Sequence, residues 1–139
     1  MNNGTTIIPA LKYIDAPAAI EWLCRVFSFK QHLVVPGDKG KIAHAQLVYN
    51  NAMIMLGSTG NGELDKYLKS PGELRGINTQ CIYLVVEDID VHSNKTKAAG
   101  AKIILDIKDE DYGGRSYTCQ DLEGVLWSFG TYNPWKSPA

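Results

Sequence analysis

The sequence predicts an α+β fold made of two strand–helix–three-strand units in tandem. Three observations carry that prediction. Each half opens with a strand-like run followed by an aspartate placed to cap a helix, at Asp15 and at Asp88. Three further strand-like runs separated by turn residues follow each helix. A shift of 73 positions then brings Leu11 onto Leu84, Asp15 onto Asp88 and Asn51–Gly57 onto Gly124–Gly130. One offset thus serves the first strand, the helix cap and the last strand of both halves.

In the first half, Ile7–Tyr13 reads as a short strand that Pro9 confines to an edge or a bulge. Pro17 fits the first turn of the helix, and Ala19, Ile20, Leu23, Val26 and Phe27 give residues 16–28 one apolar face. Strands follow at Gln31–Val35, Ile42–Tyr49 and Ala52–Leu56, with Pro36-Gly37-Asp38 and Asn50-Asn51 as turns. Residues 58–76 are rich in Gly, Ser, Asn and Lys and read as a linker, with a short helix around Glu63–Leu68. In the second half Gln80–Val86 is a strand, Asp88 caps a helix to Ala99 and Gly100 ends it. Lys102–Leu105, Ser116–Gln120 and Val125–Gly130 complete it, and the tail from Tyr132 to Ala139 reads as loose. The expected organisation is a single domain over 1–139, with module one at about 5–57 and module two at about 77–131.

The bulk properties exclude several classes. A net charge of -1 with no cluster of Lys and Arg argues against a nucleic-acid partner. No apolar run approaches the roughly 20 residues of a membrane span, and the polar start Met1–Thr6 is unlike a signal peptide. Cys24, Cys81 and Cys119 are odd in number and fit neither a zinc site nor a disulfide framework. They are expected as reduced thiols in a cytoplasmic protein.

Two such units, each with a helix on one sheet face, leave inner faces able to enclose a small-molecule site. Strand alternation puts His44, Gln46 and Val48 on one face. It puts Met53 and Met55, then Cys81, Tyr83 and Ser128, on the inward faces, together with Ile8, Ala10 and Leu126. The 73-residue offset makes Tyr117 the counterpart of His44 and turns Cys119 inward as well. His44 and Tyr117 are therefore the candidate catalytic pair, as hydrogen-bonding or proton-moving groups. The other reading of His44 is a histidine satisfied by backbone or water. His32 and His92 read as surface or strand-edge positions, Arg115 as a structural arginine pairing with Asp121 or with carbonyls, and Asp106–Asp111 as a solvated loop. Trp127 reads as core.

Three stretches resemble the vicinal oxygen chelate superfamily, which groups glyoxalase I, extradiol dioxygenases, and fosfomycin- and bleomycin-resistance proteins. They are Ile8–Asp15 with Trp22-Leu23, His44-Ala45-Gln46-Leu47 running into Ala52–Leu56, and Tyr112–Arg115 through Asp121–Phe129. The second is similar to the branch containing PhnB-like proteins. The resemblance implies two βαβββ modules forming a cup-shaped sheet, and a homodimer. It also places the usual metal-ligand positions at Ile8, Met55, Cys81 and Ser128. A hard divalent ion wants imidazole or carboxylate there, so no metal and no other cofactor is expected. The resemblance then implies a metal-free protein binding a small organic ligand, an antibiotic among the candidates. The alternative is a lyase, isomerase or dioxygenase of the same superfamily, either metal-dependent or using His44 and Tyr117.

Overall fold

In a computed structural model, residues 4–60 and 62–136 are described. Met1–Asn3 of the polar start, Asn61 of the linker and the last three residues of the tail lie outside them. The chain divides into two compact units, one ending at Ile77 and one beginning at Asn78.

The first unit runs β1 (Ala10–Tyr13), α1 (Ala16–Phe27), β2 (Lys30–Pro36), β3 (Ile42–Tyr49) and β4 (Ala52–Ser58). Its sheet has the order β1-β4-β3-β2, with β1 parallel to β4 and the other pairs antiparallel. β1 starts later than its apolar run because Pro9 has no N–H to give, although its carbonyl accepts from Met55 N at 2.9 Å. Asp15 accepts from Ala18 N at 3.2 Å and so caps α1. The helix ends at Ser28, which takes the left-handed conformation at φ 68° and returns its N–H to the Leu23 carbonyl. Ala19, Leu23, Val26 and Phe27 of α1 pack against Tyr13, Ala45, Leu47, Ile54 and Leu56 of the sheet, all of them buried.

Two short 3₁₀ turns, Glu63–Lys66 and Pro71–Leu74, occupy the linker. Sequence reading anticipates the first. The second is held by reciprocal capping, in which the Ser70 N–H and hydroxyl both donate to the Glu73 carboxylate, at 2.8 and 3.1 Å.

The second unit repeats the plan with β5 (Ile82–Val85), α2 (Ile89–Ala98), β6 (Lys102–Asp109), β7 (Arg115–Gln120) and β8 (Leu126–Gly130), in the order β5-β8-β7-β6. β6 is longer than the sequence suggests. The acidic stretch read as a loop continues the strand to Asp109, along an exposed sheet edge with two bulges. Arg115 does not pair with Asp121. It bridges Asp90 of α2 and Asp109 of β6, each at 3.2 Å. Asp121 instead ties the β7–β8 turn: it accepts from Glu123 N and Val125 N at 3.0 Å and from the Trp127 indole N–H at 3.1 Å. Trp127 is fully buried, as expected.

α2 differs in kind from α1. Its buried face carries His92, Ser93 and Thr96 beside Ile89. Polar groups brought into a core need partners. Tyr117 of β7 supplies one: its hydroxyl sits against His92 Nδ1 and 2.9 Å from Thr96 Oγ1. His92 is therefore a core residue packed on Phe129 and not the surface position its sequence context suggests.

Candidate functional site

In each unit the helix covers one sheet face, and the candidate residues divide between that face and the other. In the first unit, Val48 pairs with Met53 and Gln46 with Met55 across β3 and β4, so all four stand on the face away from α1. His44 joins them two residues along, opposite Val35 of β2. The Gln46 side-chain nitrogen and His44 Nε2 lie 3.0 Å apart. With the amide donating, Nε2 is the acceptor and Nδ1 keeps the ring proton. This face therefore offers two thioethers and a neutral imidazole–amide pair.

At the hairpin end of the same face lies a cavity of about 510 Å³, lined by Gly4, Thr5, Ile8, His32, Val48, Asn50, Asn51, Ala52 and Met53. Its walls come from three places. Thr5 N donates to the Asn51 carbonyl at 3.0 Å and ties the segment before β1 to the hairpin. Asn50 turns the chain at φ 50°, a conformation asparagine tolerates better than most residues. His32 sits where β2 slips register against β3. Of the residues that alternation placed inward, Ile8, Val48 and Met53 are in this lining, while His44, Gln46 and Met55 are not. Alternation reaches Ile8, Val48 and Met53, but it carries no information about Gly4 and Thr5 ahead of that run or about the bulge at His32.

In the second unit, Tyr83 and Ser128 pair across β5 and β8, and Thr118 pairs with Ser128 across β7 and β8. The Cys81 thiol lies 3.4 Å from Ser128 Oγ, which lies 2.7 Å from Thr118 Oγ1. Cys81, Ser128 and Thr118 thus form a hydrogen-bonded row on the face away from α2, and Thr118 is the member that sequence reading missed. Tyr83 stands over Gly130, where an added Cβ would come within 2.5 Å of its oxygen, and donates to the Tyr132 carbonyl at 2.7 Å. Partial burial, and then the neighbouring Tyr112 and Tyr132, raise its phenol above the ordinary range.

Two placements need correction. Tyr117 and Cys119 face α2 and are buried, at 1% and 0% exposed. The cause is one residue of loop. Val48 pairs with Met53 in the first hairpin, whereas their counterparts in the second, Gln120 and Leu126, are one residue further apart. The offset of 73 that holds for β4 and β8 therefore falls to 72 for β3 and β7, and a slip of one residue reverses every side chain. The counterparts of His44 and Gln46 are Ser116 and Thr118. Tyr117 answers to Ala45 and spends its hydroxyl inside the core. Burial, and then the nearby Asp121 and Cys81, push the Cys119 thiol up to about 12, which leaves it a poor nucleophile.

The positions that the superfamily resemblance assigns to a metal bring an alkyl group (Ile8), a thioether (Met55), one thiol (Cys81) and a hydroxyl already bonded to Thr118 (Ser128). That donor set does not fit a hard divalent ion. Among the described residues, no three His, Cys, Asp or Glu side chains gather closely enough to share a metal.

A model of the glyoxalase/bleomycin resistance protein/dioxygenase superfamily matches residues 10–129. The chain belongs to this superfamily. An uncharacterised protein of Mycobacterium bovis is 29% identical over 130 residues, covering 94% of this chain and 85% of its own. The crystal structure of TioX from Micromonospora sp. ML1 is similar at 32% identity and a TM-score of 0.74, covering 94% of this chain and all of TioX. The fosfomycin resistance protein FosX from Listeria monocytogenes shares the fold, at a TM-score of 0.68 and 12% identity over 95% of this chain and 96% of FosX. The two four-stranded mixed sheets with their helices are thus the fold of this superfamily. No helix of the described residues is long and apolar enough to cross a membrane.

Proposed function

We propose that this superfamily member binds a small organic molecule without the help of a metal, an antibiotic being one class of candidate. The cavity of about 510 Å³ at the hairpin end of the first sheet carries the reading. It has the size of a drug-like ligand site, roughly 300–1,000 Å³, and combines apolar walls with a few polar groups. The methionines and the His44–Gln46 pair extend the same face beyond it. The unsuitable donors at Ile8, Met55, Cys81 and Ser128 argue against Lewis-acid chemistry there. Catalysis by a His44–Tyr117 pair is disfavoured because the Tyr117 hydroxyl is engaged with His92 and Thr96.

The stretch His44-Ala45-Gln46-Leu47 supports a place in the PhnB-like branch. The free Cys24, Cys81 and Cys119 suit the cytoplasm. Exposed Leu33 and Val35 on the edge strand β2, and Ile104 and Leu105 on β6, suit a homodimer. A thermal-shift screen of the whole chain against zinc, nickel, manganese, hydrophobic antibiotics and 2-oxo compounds tests the central claim. Ligands that prefer the native state raise its melting temperature. An organic compound should do so while the metals do not. One equivalent of metal retained per chain after dialysis would sink the metal-free reading.

A further inference from the structure

We infer that the cavity beside the β3–β4 hairpin receives an uncharged, planar amide-like edge of the ligand, such as an amide, lactam or imide. The inference rests on the small-molecule reading above and gives that site its chemical class. The polar residues of the lining are Thr5, His32, Asn50 and Asn51. Each side chain among these holds both a donor and an acceptor, the imidazole when neutral. Among the described residues, no Asp, Glu, Lys or Arg lines the cavity. Lys30 stands opposite Val48 in the ladder, but it is not part of the lining.

A carboxylate or phosphate entering here would shed water with no cationic side chain among the described lining residues to receive it. An ammonium would find no carboxylate among those residues. A neutral group that alternates donors and acceptors meets side chains that do the same. Its flat body rests on Val48 and Met53, which are cross-strand partners, and a thioether makes favourable contacts with planar rings.

Three isosteric probes separate the alternatives: benzamide, benzoate and benzylammonium, titrated at pH 8 into ¹⁵N-labelled full-length protein and followed by amide chemical shifts. Benzamide should move the amides of Thr5, Val48, Asn51, Ala52 and Met53, and bind about tenfold more tightly than either charged probe. Val48→Trp, which adds bulk on the face that lines the cavity, should abolish those shifts at the remaining positions. Asn50→Gly keeps the positive φ while removing one amide, and should narrow the preference with the rest of the spectrum unchanged. Equal or tighter binding of benzoate or benzylammonium overturns the chemical class. Benzamide shifts centred on His44 or in the second unit, untouched by Val48→Trp, overturn the site. If none of the three probes moves these amides while other organic compounds raise the melting temperature, the inference fails and the small-molecule reading stands. If no organic compound binds at all, both fail.

Discussion

The Tyr117 hydroxyl is lodged between His92 and Thr96, so its removal is felt by the fold. Tyr117→Phe should lower stability by about 1–3 kcal/mol, the cost of leaving buried polar groups short of a partner, as measured by urea denaturation. His44 stands half-buried on the opposite kind of face, with its ring nitrogen on the Gln46 amide. His44→Ala should leave the melting temperature nearly unchanged. It should weaken a bound ligand that reaches this end of the face by about 0.5–1.5 kcal/mol, read by calorimetry on both proteins. The reverse outcome, an unchanged ligand constant with a clearly lower melting temperature, would make His44 a structural residue. His44, Gln46, Met53 and Met55 could be placed on one face from the sequence because alternation within a strand is local. Tyr117 was misplaced because its face depends on the length of a loop some residues away. His32 reads as a surface or strand-edge position and Asn51 as a turn residue, and both are that, but their place in a cavity wall is not read from the sequence because a bulge and a hairpin obey no period.

Helix α1 ends on Ser28 in the left-handed region, where an L side chain is strained and glycine is not. Ser28→Gly should therefore stabilise the protein by about 0.5–1 kcal/mol, visible as a melting temperature raised by a few degrees, provided the Leu23 carbonyl keeps its partner. A lower melting temperature would mean that the serine side chain contributes something the backbone does not. The elements were the most legible part of the chain. Both caps, Asp15 and Asp88, carry the hydrogen bonds that their positions predict. The exceptions have separate causes. Pro9 shortened β1, and acidic side chains disguised the outer half of β6, since a strand at a sheet edge with both faces wet shows no apolar alternation. α2 concealed its buried face because that face is His92, Ser93 and Thr96 instead of aliphatic.

Across the whole molecule, the superfamily was legible because its motifs fall on strand, cap and turn positions that recur in both halves. The ligand was not, because neither a face nor a cavity names its occupant. The edges of the two sheets bear on association. β2 and β6 end their sheets with unpaired backbone and exposed Leu33, Val35, Ile104 and Leu105. Sedimentation should find a dimer whose formation buries these side chains, and Leu105→Lys or Val35→Lys should shift it towards monomer. A monomer at high concentration would count against that arrangement. The extra residue in the β7–β8 hairpin has a genetic meaning as well. One residue gained in that hairpin is matched by one lost between the helix and β6, since Lys30 and Val48 answer to Lys102 and Gln120 while Asp15 answers to Asp88 and Met53 to Leu126. In a gene built from two copies of one plan, a codon lost in one loop and a codon gained in another leave every strand with the faces it had, so the loops can drift in length while the core rows stay in place.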